Sequence, residues 1–515
     1  MNTFKRKALF AAVVAGLGVA GSAEAVFIAP NRTGQALLYP YYTVQNNGTN
    51  SWNTYISVVN TTTASKALKV RILEGRTSTE VLDFNLFLSP NDVWTAAIIP
   101  SDATDASAGR IVTADRSCTA PAIPAGGQEF RNTAYATQLA ALGRGLDRTR
   151  EGYIEIIEMA TLTGVTATAI THVLTGGVSI PLNCALVQTN ATAGILADSS
   201  APSGGLTGTG TLINVNTGLD AGYKPDALEQ FSDIVLFTGP GSALPALREA
   251  NPPMSIVFNS GFEATGSSLN ATVYRSEFLD ILGGPTGGAL AVASVFMHES
   301  IMNEYVLDTA AASLTDWVVT QPLKSDFVPV TGATTFPPYT ERLVATGACE
   351  EVDFTYFNRE EQTATAGGID FSPITIANPS SICWESTVVS IRNGAAHMPT
   401  GTSSGILASR NTTSIAIRSD FQNGWARMTF TGDNATLVGI AADPLFSQAI
   451  TVGSSTFIAG TSVVAAARPT VFFGLPVTGF MVRTFSNGTL TCVGASCQGN
   501  YASLFDHAYR NRITP

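Results

Sequence analysis

Four stretches of this 515-residue chain place reactive residue types at spacings that support chemistry elsewhere. His298-Glu299 opens like the helix of a zinc protease, in which two histidines four apart form a chelating face beside a glutamate base. Position 302 is Met, so that face is missing and His298 reads as a satisfied histidine at a strand end. Gly401-Thr402-Ser403-Ser404-Gly405 spells the G-x-S-x-G of a nucleophile elbow, which needs a buried strand before it and a helix after it. Neither His397-Met398-Pro399 before it nor residues 407–411 after it supply these. Leu475-Pro476-Val477-Thr478-Gly479 spells a cell-wall sorting signal. The 36 residues that follow hold Cys492, Cys497 and Asp506, where that signal needs an apolar segment and a basic tail. The stretch reads as a strand entered through an edge proline. Carboxylates gather at Glu350, Glu351, Asp353, Glu360 and Glu361, without the D-x-D-x-D-G loop or glycine-rich array that preorganises calcium ligands, and read as solvated charge. No phosphate-cradling glycine loop is present. The sequence therefore offers no catalytic set, no metal site and no cofactor motif.

The cysteines are more informative. Cys118, Cys184, Cys349, Cys383, Cys492 and Cys497 are even in number and allow 15 pairings. Joining sequence neighbours, Cys118 to Cys184, Cys349 to Cys383 and Cys492 to Cys497, closes only local loops. Metal ligation is the weaker reading: there is no C-x-x-C pair, and His172, His298, His397 and His507 are scattered singly. Trp52, Trp94, Trp317, Trp384 and Trp425, with Tyr39, Tyr41 and Tyr42, either fill a core or, where several share an exposed face, form a platform for stacking sugars.

The elements that must position these residues are mainly β. Residues 35–44, 54–60, 67–73, 79–88 and 93–99 are rich in β-branched and aromatic side chains and are separated by turn signals. Lys69-Val70-Arg71-Ile72 alternates, which predicts one wet face and one buried face. Short strands at about ten-residue spacing predict immunoglobulin-like β-sandwich domains. Ala134, Gln138, Leu139 and Leu142 are spaced for a small helical insert, and 225–231 for a short helix opened by Pro225. Residues 189–210 read as a long loop and 290–298 as a strand. The expected organisation is a signal peptide (1–25), an N-terminal sandwich (26–120), a mixed insert with helix and long loop (121–200), a central β-rich region (201–345) and a C-terminal sandwich (346–515).

Lys5, Arg6 and Lys7, the apolar run 8–20 and Ala23-Glu24-Ala25 have the form of a cleaved secretory signal. Its loss moves the formal charge from −11 to about −13. Only 13% of residues are charged, against about 25% in an ordinary domain. The chain has neither the basic field of a nucleic-acid binder nor a run of about 20 apolar residues for a membrane helix.

The segments TYISVVNTTTASKALKVRILEGRTSTEVLDFNLFLSPNDVW (54–94), HESIMNEYVLDTAAASLTDWVVTQPLK (298–324), LPVTGFMVRTFSN (475–487) and NYASLFDHAYR (500–510) resemble a group of exported cell-surface proteins of Gram-negative proteobacteria. That resemblance implies export and location at the cell surface or outside it, with the periplasm as the alternative. It transfers no activity and no catalytic residue. Two readings follow. One is a structural or adhesive surface protein that binds glycan or assembles with itself. The other is an exported hydrolase whose carboxylate or metal site forms only in the fold.

Overall fold

Strand-forming residues fill the chain, and their strands stack into layers that share faces. The structure, a computed structural model, describes residues 25–514 apart from 190–191, 266–267, 331–333, 364–379, 395–401, 431–435, 442–448, 453–454, 459–468 and 493–494. Of 259–273, 440–458 and 487–498, no side chains are described. The signal segment up to residue 24, His397 and Gly401 thus lie outside the described residues.

The protein is mainly β, in multiple and almost wholly antiparallel sheets. A six-stranded sheet carries Leu219–Tyr223, Leu206–Asn214, Trp52–Asn60, Val93–Pro100, Gly109–Val112 and Gln128–Glu129, in that order. It packs on an eight-stranded sheet containing Asp226–Glu229, Ala36–Thr43, Glu151–Leu162, Ser65–Glu74 and Glu80–Leu88. Trp52, Ile56, Trp94 and Ile98 from the first sheet meet Leu37, Tyr39, Val70 and Ile154 from the second. This sandwich is larger than the seven-to-nine-strand immunoglobulin form. Its strands also cross the predicted border near 200, because Leu206–Asn214 pairs with Trp52–Asn60 and Asp226–Leu228 with Ala36–Leu38.

Three five-stranded sheets and three two-stranded ones make up the rest of the described sheets, and one of the five-stranded sheets ties the molecule together. It runs Thr412–Ile417, Ser386–Asn393, Leu314–Thr320, Thr478–Cys492, Ala495–Asp506, with one parallel pair at its start. On one face, Val318, Val388, Phe480 and Val482 join the core of the N-terminal sandwich. On the other, Trp317, Val319, Val389 and Met481 join Val352, Ala426 and Met428 of the next sheet. The Trp52 indole donates to the Ile406 carbonyl at 2.8 Å, and the Ser386 amide to the Gly75 carbonyl at 2.8 Å, so polar contacts cross the same boundary.

Several local expectations change on contact with this packing. Residues 133–150 form three short 3-10 turns anchored by Tyr135 and Leu142, not a helix, since Gly143 and Gly145 interrupt a segment that only tertiary packing could hold helical. Asp226–Glu229 is a strand, its pairing with Ala36–Leu38 overriding the helix start at Pro225. Gly287–Val295 is a helix capped by Thr286, where a strand was expected; it is buried all round and so shows no amphipathic period. Within 189–210, Thr192–Ala197 is helical. The face of Lys69 and Arg71 is not wet: both are buried and ion-paired, Lys69 to Asp83 at 3.1 Å and Arg71 to Glu80 at 2.8 Å.

Disulfides join Cys118 to Cys184 and Cys349 to Cys383, as neighbour pairing expects. The side chains of Cys492 and Cys497 lie outside the described residues. No helix among the described residues is long and apolar enough to cross a membrane.

A sheet buried on both faces cannot unfold with one half alone. Scanning calorimetry of the oxidised protein is expected to give one transition with matching calorimetric and van't Hoff enthalpies. Trp317→Ala should lower the stability of that single transition by about 3–5 kcal/mol. Two separated transitions would contradict the shared core.

Candidate functional site

Where the shared sheet meets the N-terminal sandwich, five distant stretches of chain line a cleft of about 210 Å³. The turn after the first strand brings Arg32, and the Asp226–Glu229 strand with its preceding residues brings Lys224 and Asp226. His298 closes the short strand after the buried helix; Thr478 and Gly479 begin one strand of the shared sheet; Asp506 ends its neighbour, and His507 and Tyr509 follow. A wider recess of about 470 Å³ shares Arg32, Lys224 and Asp506 and adds Tyr223 and Phe505.

The floor is the sorting-signal look-alike. Leu475-Pro476 pairs with Met297-His298, and Leu475 and Val477 are buried, so the segment is a strand of the fold. Gly479 has a φ of 142°, and a side chain there would strike the Val318 carbonyl at 2.0 Å, so only glycine lets the two strands approach. The Thr478 hydroxyl donates to Asp226 Oδ2. Desolvation raises the Asp226 carboxyl to about 6, against the pull of Thr478 and Arg32. Asp506 is half exposed and paired with the Arg32 guanidinium.

Both histidines are held neutral. His507 Nε2 donates to the Val318 carbonyl at 2.9 Å, and its Nδ1 accepts from Asn303 Nδ2 at 3.0 Å. His298 Nδ1 donates to Asn511 Oδ1 at 2.7 Å, and its ring stacks on Tyr509 with centroids 4.1 Å apart. Burial lowers both from 6.5 to about 4. Neither carries a carboxylate partner of the kind that orients a catalytic base. His298 is thus a satisfied histidine at a strand end, and it also walls the cleft.

The other flagged residues lie elsewhere. Ser403 stands in irregular chain before a turn at 405–407, with no helix after it, its carbonyl accepting from Arg392 at 3.2 Å. Glu350 turns inward to accept from the Thr340 and Glu341 amides, both at 2.9 Å, so it is not solvated charge, while Glu351 points outward. No group of three metal-ligating side chains occurs among the described residues. Trp52, Trp94, Trp317, Tyr39, Tyr41 and Tyr42 are core, and Trp384 is half-buried beneath Arg76. Trp425 alone of the tryptophans is well exposed among the described residues, at 40%. Tyr509, which sequence reasoning missed, is 46% exposed at the cleft mouth.

No family model, curated protein or solved structure matches this chain.

The cleft's ionisable groups oppose one another in acid. The unfolded chain protonates its histidines near 6.5 and the folded chain only near 4, so stability present above pH 6.5 is lost as pH falls toward 4. Asp226 works the other way: its folded carboxyl keeps a proton up to about 6 that the unfolded chain releases near 3.8, favouring the fold at the acid end. Urea midpoints measured from pH 7 to pH 4 are therefore expected to fall more steeply in Asp226→Asn than in wild type. An unchanged slope would refute the assignment.

Proposed function

We propose that this chain is an exported cell-surface protein that binds a glycan in the cleft between the shared sheet and the N-terminal sandwich. The convergence there of Arg32, Lys224, Asp226, Thr478 and Asp506 around the exposed ring of Tyr509 carries the reading. Hydroxyl-rich ligands are recognised by donor and acceptor side chains at the rim and by an aromatic face on which a sugar ring stacks. Two disulfides fit an oxidising compartment, and the signal-like first 25 residues fit export. Three segments that carry the resemblance to surface proteins, 298–324, 475–487 and 500–510, each supply cleft residues.

One observation favours the hydrolase reading as a second. Asp226 and Asp506 line the same cleft, one desolvated with its carboxyl raised to about 6 and the other half exposed beside Arg32. A carboxyl with a raised pKa and a second carboxyl facing the same cleft are the pair of groups that glycoside cleavage uses.

Titration calorimetry against bacterial and host surface polysaccharides tests the binding reading. Wild type is expected to bind, and Tyr509→Ala to bind about ten-fold more weakly, or about 1.4 kcal/mol. Failure of the wild-type protein to bind any polysaccharide would sink it. Release of reducing ends that is lost in Asp226→Asn while binding persists would move the hydrolase reading to first place.

A further inference from the structure

Lysine is the residue least expected in a protein interior, yet three of the four lysines after residue 25 are buried: Lys66, Lys69 and Lys324. Their surroundings differ in one respect. Lys324 Nζ donates to the Ala348 and Cys383 carbonyls. Lys69 Nζ divides itself between Asp83 and the Ser242 carbonyl, and the Asp83 side chain is partly exposed. Lys66 instead lies 2.8 Å from Glu158 Oε1, with both side chains completely buried.

The Glu158 carboxyl is also held by two backbone amides, one on each oxygen. Oε1 accepts from the Ser203 amide at 3.0 Å and Oε2 from the Gly204 amide at 2.8 Å. Two backbone N–H groups aimed at a carboxyl stabilise negative charge developing on its oxygens during attack at the carbon. Glu229 closes the site. Gly204 has a φ of 74°, and a side chain there would come within 2.8 Å of Glu229 Oε1, so glycine is needed for the second carboxyl to stand beside the loop. Burial and the neighbouring Glu158 raise Glu229 to about 7, leaving it able to take or give a proton near neutrality.

We infer that Lys66 and Glu158 condense in the folded protein to an intramolecular amide linking the Ser65–Glu74 and Glu151–Leu162 strands. A proton passes from Lys66 Nζ to the carboxyl across their 2.8 Å contact, giving the neutral amine and acid that amide formation requires. The Nζ lone pair attacks Glu158 Cδ, and the Ser203 and Gly204 amides hold the tetrahedral oxygens. Glu229 accepts the second proton from nitrogen and delivers it to the departing hydroxyl. One C–N bond forms and one C–O bond breaks. The ammonium and carboxylate become an amide and one water, Glu229 is regenerated, and no oxidant or co-reactant is consumed. The link closes a loop across two central strands whose register places Lys66 opposite Thr161 and Glu158 opposite Leu68.

High-resolution mass spectrometry of the folded full-length chain, digested after reduction and alkylation, tests this. The expected result is a branched peptide containing Lys66 and Glu158, one water lighter than its two parts. Lys66→Arg should give only the separate peptides. Glu229→Gln should fold, as judged by circular dichroism, but stay unlinked. Glu158→Gln, where it links, should be one ammonia lighter. Separate, full-mass peptides from folded wild-type protein would overturn the inference, and a linked peptide from Glu229→Gln would remove Glu229 from the mechanism.

Discussion

The strand Leu314–Thr320 is the constraint on which the rest depends. Trp317 and Val318 are neighbours in sequence, both wholly buried, and they point into different cores. In a sandwich exposed on its outer side, one of the two would face water. Here a one-residue slip would exchange an indole for an isopropyl group in both cores at once, so register is fixed from two directions. That register also sets the cleft. The Val318 carbonyl receives His507 and lies against Gly479, whose own strand leads from the hydroxyl that holds Asp226. The cleft is therefore where a sheet covered on both sides reaches solvent.

Much of the architecture was legible because strand chemistry is local. Alternation and β-branching marked 54–60 and 67–73, and disulfide pairing by nearest neighbour placed two bridges. What was not legible came from long-range covering. The Lys69/Arg71 stripe reads as solvent-facing by its pattern, yet Glu80, Glu155 and Asp83 meet it in the interior. The helix Gly287–Val295 has no polar face to announce a period, and its small residues suit a strand or a buried helix equally. The cleft was illegible for a further reason. Arg32, Asp226, His298, Thr478 and Tyr509 come from five stretches spread over most of the chain, and only the fold relates them. The one sequence signal was indirect: three of the four segments that resembled surface proteins turn out to border it.

A chain with few charges has spent a large share of them inside. Arg148 pairs with Glu74 at 2.7 Å with both side chains buried, and Tyr41 and two backbone amides converge on Glu151. Such pairs return little net stability, since desolvation offsets most of the Coulombic gain. Their effect is on specificity. Glu151 accepts from the amides of Arg410 and Asn411, far along the chain, so the N-terminal sandwich cannot satisfy it alone. Leaving such a carboxylate uncompensated is costly, which penalises arrangements in which the halves fold apart. Polar burial and the doubly covered sheet thus enforce the same assembly.

That rigidity bears on what the cleft can do. His507 uses both ring nitrogens for structure, and His298 is tied to Asn511, so imidazole is not free to move protons there. The groups that can respond to a ligand are the carboxyls and the rim: Asp226 behind its threonine, Asp506 paired with Arg32, and the partly exposed Tyr509 stacked on His298. A ligand that competes for Arg32 would free the Asp506 carboxylate, and one that displaces the Thr478 hydroxyl would meet a carboxyl that can donate as well as accept. Polyhydroxyl compounds can do both without bringing charge, whereas an anion would be opposed by two aspartates and a cation by Arg32 and Lys224. On the proposed glycan-binding reading, the balance of charge around the cleft suits a neutral, hydroxyl-rich ligand, and the histidine pins would present it with a preformed site.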